Sequence, residues 1–360
     1  MNFPAREYKK QLFRLMMKTK ILVTGGTGYI GSHTTVELIE KGFDVVIIDN
    51  LYNSEAEVVD RILQITGERP ELAVFDICDR EKLELFFKKH KDITGIIHFA
   101  AYKAVGESVN KPLEYYRNNL LSLINLLDTV KTHGIAGFVF SSSCTVYGQP
   151  EKLPVSEDSP IQPAMSPYGN TKQIGEEIIR DTATADKKIK AISLRYFNPI
   201  GAHPSALIGE LPRGVPENLV PFITQTAYGL REEMKVYGND YNTPDGSCIR
   251  DYLHVVDLAK AHVTAVKRLI ENTGKSNYEV FNLGTGKGVS VLEAIASFER
   301  VTGIKLKYKI TSRRAGDIEK IWADPSLANR ELGWKTVSTL DEAMKTAWDW
   351  EKYIRKNKKG

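Results

Sequence analysis

An apolar, β-rich run at Lys20–Thr24 passes into a helix-spaced run at Tyr29–Glu40 through Thr24-Gly25-Gly26-Thr27-Gly28-Tyr29-Ile30-Gly31. Gly26, Gly28 and Gly31 satisfy G-x-G-x-x-G, and Gly25, Gly28 and Gly31 satisfy G-x-x-G-x-x-G. Glycines are required where a strand turns tightly into a helix and a pyrophosphate must approach the backbone. The helix start then offers unpaired N–H groups and a partial positive charge. The spacing alone is a weak signal, but here a strand precedes it and a helix follows. Asp49 also ends the next strand, Asp44–Asp49, about twenty residues on. An acid there accepts from ribose hydroxyls and repels a 2′-phosphate, so the pattern points to NAD over NADP. A glycine turn with no ligand is the alternative.

The first 200 residues continue in the same alternation. Short apolar runs at Leu72–Phe75, Gly95–Phe99, Gly137–Ser141 and Ile189–Tyr196 read as strands. Helical spacing covers Ser54–Thr66, Arg80–Lys89, Leu113–Thr132 and Tyr168–Ala185. Near-continuous apolar strands separated by helices predict an α/β fold, a doubly wound parallel sheet covered on both faces. After residue 200 prolines and glycines break the pattern into shorter elements. Asp257–Glu271 resumes helix, Glu279–Leu283 strand and Ser290–Val301 helix. The organisation expected is a dinucleotide lobe over 17–197, to which segments near 236–262 return. A smaller, interleaved substrate lobe then covers most of 198–350.

A second constellation lies in the first half. Phe140-Ser141-Ser142-Ser143-Cys144-Thr145-Val146-Tyr147-Gly148 follows a strand, and Ser166-Pro167-Tyr168-Gly169-Asn170-Thr171-Lys172 opens a helix. Tyr168 and Lys172 share a helical face. Chance alone supplies a Tyr-x-x-x-Lys pair about once in such a chain, so position carries the signal: strand C-termini are where doubly wound sheets bind ligands. A free phenol, with a pKa near 10, is a poor base at neutral pH. A nearby Lys⁺ and a cationic nicotinamide would both favour phenolate. Tyr168 could then take a proton from a sugar hydroxyl, with Ser143 sharing it. The plain alternative is a serine-rich loop beside a solvated lysine. No G-x-S-x-G elbow points to a serine hydrolase.

With these residues the chain resembles the extended short-chain dehydrogenase/reductases, in their branch of sugar-nucleotide 4-epimerases, from about Lys20 to Trp350. The blocks that carry the resemblance are Gly25–His33, Asp49–Leu51, His98–Val109, Pro112–Asn119, Ser141–Gly148, Ser166–Lys172, Arg195–Ser205 and Gly238–Val255. The resemblance implies an isomerase with tightly bound NAD, regenerated each cycle. Its reaction would be oxidation of UDP-galactose or UDP-glucose at C4, rotation of the 4-keto sugar and re-reduction on the opposite face. It implies Ser143, Tyr168 and Lys172 as catalytic residues.

Carried over by motif, the NAD contacts are Gly25, Gly28, Tyr29, Ile30, Gly31, Asp49, Asn50, Asn53, Ser54, Asp76, Ile77, Phe99, Ala100, Lys103, Asn118, Ser141, Tyr168, Lys172 and Tyr196. The substrate contacts are Lys103, Ser143, Phe197, Asn198, Asn218, Leu219, Tyr237, Arg250, Val291, Arg314, Asp317 and Ile321. Two arginine forks suit a diphosphate. Related dehydratases place an acid where Cys144 and Thr145 stand here, so elimination is disfavoured. Ile321 occupies the sugar-pocket gate and is intermediate in size between the family's bulky and small versions, which implies some activity on UDP-N-acetylglucosamine. Alternatives are a 4-epimerase acting mainly on N-acetyl sugars or a uronate, and a non-catalytic NAD-binding regulator. The family often forms homodimers.

Composition bounds the remaining classes. The chain has 360 residues and a net charge of +4. The basicity sits at its ends: Arg6, Lys9, Lys10 and Arg14 at one, Lys352, Arg355, Lys356, Lys358 and Lys359 at the other. The body between is mildly acidic, which argues against nucleic acid as a partner. Residues 351–360 read as a solvated basic tail. No apolar run approaches the ~18 residues of a membrane span. Cys78, Cys144 and Cys248 are an odd number, far apart and without C-x-x-C, which argues against a disulfide framework and fits a reducing cytoplasm. With no H-E-x-x-H, no metal is expected. Residues 1–16 lack the apolar core of a secretory signal. They read as an upstream extension before a natural start at Met16 or Met17.

Overall fold

A computed structural model describes residues 18–314 and 318–357. The expected extension over 1–16 lies outside them. The centre is a seven-stranded sheet, every pairing parallel. Its strands are β1 Lys20–Thr24, β2 Asp44–Asp49, β3 Glu71–Val74, β4 Ile93–His98, β5 Gly137–Ser141, β6 Ala191–Tyr196 and β7 Tyr278–Leu283. They stand in the order β7-β6-β5-β4-β1-β2-β3. From β1 the chain builds outward through β2 and β3, then crosses back to β4. The order therefore reverses between β1 and β4, with Thr24 opposite both Ile48 and His98. That reversal opens a crevice at the strand C-termini.

Alternate residues of each strand feed opposite faces. Ile21, Val23, Val45 and Ile47 join one buried cluster, while Leu22, Val46 and Ile48 join the other. Both faces are covered by helices, which is why the strands read as apolar throughout. Helix α1, Tyr29–Glu40, and the later helix Val255–Ile270 cover the first face; Arg80–Lys89, Pro112–His133 and Pro167–Ala185 cover the second. Pro112–His133 starts on a proline and stops at Gly134, whose φ of +64° a side chain would resist.

The structure moves several expected boundaries. The helix expected from Ser54 begins at Val58. Ser54 is instead held out of it: its hydroxyl donates to Asp49 Oδ1 at 3.1 Å and lies 2.7 Å from Thr27 Oγ1. After the helix Val255–Ile270 has packed on the sheet's first face, β7 pairs with β6 along its whole length. The later residues have a core of their own, including Ile223, Met234, Val236, Ile295, Phe298 and Met344.

The basic tail is corrected as well. Leu340–Asn357 is one helix, and Ala347, Trp350, Glu351 and Ile354 form its buried stripe. Charge composition alone reads this segment as solvated, but its apolar positions keep helical spacing to Ile354 and pack inward. Residues 358–360 lie outside the described part. Among the described residues no helix is long and apolar enough to cross a membrane.

Candidate active site

Close packing shapes the turn after β1. Gly25 has φ +70°, and a Cβ there would sit 2.8 Å from the Ala100 nitrogen on the neighbouring β4 side. A Cβ on Gly31 would lie 2.2 Å from the Gly25 carbonyl oxygen. A Cβ on Gly28 would meet only that oxygen, at 3.1 Å, and Gly28 lines the crevice. Gly28 is also the N-cap of α1 and supplies no side-chain cap. The first N–H groups of α1 therefore have no partner within the helix. A backbone cradle facing an uncapped helix start is what a pyrophosphate fits.

The crevice is a cavity of about 1170 Å³. It brings together the glycine turn, Tyr29, Ile30, Asp49, Asn50, Asn53, Ser54, Asp76, Ile77, Phe99, Ala100, Lys103, Asn118, Ser141, Ser143, Tyr168, Lys172, Tyr196, Phe197, Asn198 and Asn218. Asp49 is almost fully buried. Its carboxylate accepts from Thr27 N at 3.2 Å, Leu51 N at 2.9 Å and Ser54 Oγ. A carboxylate has about four acceptor positions, so one stays open for a hydroxyl while the buried negative charge opposes a phosphate. Asn50 Nδ2 donates to Asp76 Oδ2 at 3.1 Å, which links the β2 end to the next loop.

The catalytic candidates meet over β5. Ser166 caps its helix by accepting from Gly169 N at 3.1 Å, and Pro167 takes the first position. Tyr168 thus sits in the first turn and Lys172 one turn later. Lys172 Nζ donates to the Ser141 carbonyl at 2.7 Å and stands 5.8 Å from the Tyr168 ring centroid. Ser143 opens a short 3₁₀ turn, its Oγ accepting from Thr145 N at 3.2 Å. Ser141 Oγ and Tyr196 OH lie 2.7 Å apart.

Burial dominates the electrostatics. It raises the Tyr168 phenol above its ordinary range, against a hydrogen bond with Ser143 that favours phenolate. It lowers the Lys172 amine to about 8, partly opposed by the Glu176 charge. The neighbouring lysine is therefore a weaker promoter of phenolate than composition alone suggests. Cys144 is pushed up to about 12, again by burial, so at neutral pH it is an inert thiol.

The serine loop rests on a buried network. Arg195 donates to both Glu176 oxygens, through Nε and Nη2. Its Nη1 donates to Tyr147 OH at 2.9 Å, and that hydroxyl donates to Asn282 Oδ1. Ser142 Oγ donates to Glu176 at 2.5 Å.

Leu219, Tyr237, Arg250, Val291 and Arg314 are not among the residues lining this cavity. Leu219 begins a helix whose N-cap position, Asn218, makes no side-chain cap. Tyr237 ends a strand paired with Tyr308–Thr311, and the Arg314 guanidinium lies 5.7 Å from its ring. Arg250 pairs with Val289, next to Val291, and its charge reaches the Cys144 thiol. Ile321 is buried in a cluster with Tyr147, Val155 and Phe197, and Phe197 lines the cavity. Asp317 lies outside the described residues. Sequence reasoning missed Glu210 and Arg213, both on the cavity wall. Glu210 Oε1 accepts from Lys103 Nζ at 3.1 Å and Asn218 Nδ2 at 2.6 Å. The only signal was a charged pair inside a Pro/Gly-rich loop.

A family model described as GDP-mannose 4,6 dehydratase matches residues 22–347. A UDP-glucose 4-epimerase from Yersinia enterocolitica is 50% identical over 332 residues, covering 92% of this chain and 97% of that one. The crystal structure of UDP-glucose-4-epimerase from Stenotrophomonas maltophila, with bound NAD and formylated UDP-arabinopyranose, matches with TM-score 0.91 and 47% identity. It covers 94% of this chain and 99% of the other. The Bifidobacterium longum UDP-glucose 4-epimerase, in complex with NAD+ and UDP, matches with TM-score 0.89 and 46% identity over 94% of this chain and 99% of its own. Together with the glycine turn and the buried Ser143, Tyr168 and Lys172, these matches place the chain in the UDP-glucose 4-epimerase family of extended short-chain dehydrogenase/reductases.

Proposed function

We propose that this chain interconverts UDP-galactose and UDP-glucose with NAD as resident cofactor. The observation that carries the reading is one crevice holding both the glycine cradle and the buried Ser143–Tyr168–Lys172 group. The glycine turn and the α1 start would hold the pyrophosphate, Asp49 the adenosine ribose, and Tyr168 and Lys172 the nicotinamide side. When bound, NAD would supply the acceptor for the hydride leaving the sugar's C4 and the donor for its return to the opposite face of the 4-keto sugar. Tyr168 takes the O4 proton and later returns it. Ser143 shares that proton, and Lys172 supplies positive charge and is fixed by the Ser141 carbonyl. Asn198 and Asn218 on the cavity wall, with Tyr237, Arg250, Val291, Arg314 and, by resemblance, Asp317, would hold the uridine diphosphate. Neither Cys144, a high-pKa thiol, nor Thr145 provides an acid for elimination. A non-catalytic regulator would have no use for burying a tyrosine and a lysine side by side.

Product separation after incubation with UDP-galactose, UDP-glucose and their N-acetyl forms tests the activity and, through Ile321, the sugar preference. Tyr168→Phe is expected to lower kcat roughly 10²- to 10⁴-fold while extracted NAD stays stoichiometric. Epimerisation at the parent rate would overturn the assignment.

Lys172 gives a signed pH test. Removing its positive charge makes the phenolate harder to form, so the acid limb of the kcat profile should move to higher pH in Lys172→Met. In the parent this support fades as pH rises through about 8, where the buried amine loses its proton. An acid limb that stays in place would remove Lys172 from the role.

Free Cys78, Cys144 and Cys248 support a reducing, cytoplasmic setting. A homodimer is supported by exposed Leu113, Leu121 and Ile124 along one stripe of Pro112–His133. Sedimentation velocity should show a dimer for the parent and a monomer for Leu121→Asp; a monomeric parent refutes the pairing.

A further inference from the structure

The segment 208–218 belongs to the later part of the chain, yet it crosses the cavity mouth toward the end of β2. Its base is fixed. Trp350 Nε1 donates to the Glu210 carbonyl at 2.8 Å, and a Cβ on Gly209 would lie 2.5 Å from the Trp350 ring. Its tip reaches the 51–54 loop through one side chain. Arg213 Nη1 donates to Tyr52 O at 2.7 Å, and Nη2 donates to Ser54 O at 2.6 Å and Leu51 O at 3.5 Å. A planar guanidinium presents its donors as a rigid fork, so one group can hold several carbonyls in fixed relation.

The loop it grips is the one that shapes the ribose end of the site. Leu51 N and Ser54 Oγ both donate to Asp49 Oδ1, and Tyr52 N donates to Asn50 Oδ1. Leu51 has φ +58°, a left-handed conformation that a leucine adopts only when its surroundings hold it. Inside, Asp49 holds that loop; outside, Arg213 does. Arg213 itself is exposed and packs into no core cluster.

We infer that Arg213 is a positioning residue that latches the 208–218 strap onto the 51–54 loop and so sets how long the dinucleotide stays in the cavity. This rests on the reading that the cavity holds NAD. Removing the fork frees the strap tip and lets the ribose end of the site open, while the cradle, Tyr168 and Lys172 stay in place. The consequence is faster cofactor exchange, with activity dependent on added NAD.

The test is dissociation of labelled NAD⁺. Full-length parent, Arg213→Ala and Arg213→Lys are loaded with labelled NAD⁺, desalted and chased with excess unlabelled NAD⁺. Label should leave Arg213→Ala at least tenfold faster than the parent. Arg213→Lys, a point charge without the fork, should fall between them. Excess NAD⁺ should restore Arg213→Ala turnover lost on dilution, and amide exchange over residues 51–54 should accelerate. A parent that retains label while Arg213→Ala releases it at the same rate overturns the inference alone. A parent that never retains label overturns the cavity reading and this inference with it.

Discussion

The hydrogen-only clearance around the Gly25 backbone is the constraint on which the remaining structure depends. Two glycines with almost no room for a Cβ, Gly25 against Ala100 and Gly31 against the Gly25 carbonyl, let α1 start directly over the β1/β4 reversal. The strand order, the helix start and the carboxyl ends of β1, β4 and β5 then converge on one cavity. Any larger residue would push α1 off the sheet or close the space in which a pyrophosphate must lie.

Catalytic potential comes from burying groups that prefer water. Burial drives Tyr168 and Lys172 both toward their neutral forms, but the amine, lowered only to about 8, keeps most of its positive charge at neutral pH while the phenol stays protonated. Keeping such groups in register needs a stiff support. The Arg195–Glu176 pair, with Tyr147, Ser142 and Asn282 bonded around it, holds the Ser141–Tyr147 loop from below. A buried pair of this kind adds little net stability, but losing one partner typically costs about 3–5 kcal/mol. Its contribution here is to fix a loop.

Most of this was legible in the residues because it is local. The glycine spacing, the alternation of strand and helix and the Tyr168/Lys172 step all lie within short stretches, and a parallel sheet covered on both faces follows from apolar strands. What escaped depends on contacts between distant segments. Nothing near Arg213 says that it reaches residues 51–54. Nothing near Tyr278 says that its strand joins β6 rather than the later core. The terminal helix was hidden by its lysines, since charge was weighed above the Ala347, Trp350 and Ile354 spacing.

The central claim is that one cavity removes a hydride from C4 and returns it to the same sugar without exchanging cofactor. The most direct measurement uses UDP-galactose deuterated at C4, mixed with unlabelled UDP-galactose and free NADH. Full deuterium retention at C4 of the UDP-glucose formed, with no transfer to the free nicotinamide pool, is the expected result. Deuterium washed into that pool at a rate matching turnover would contradict it.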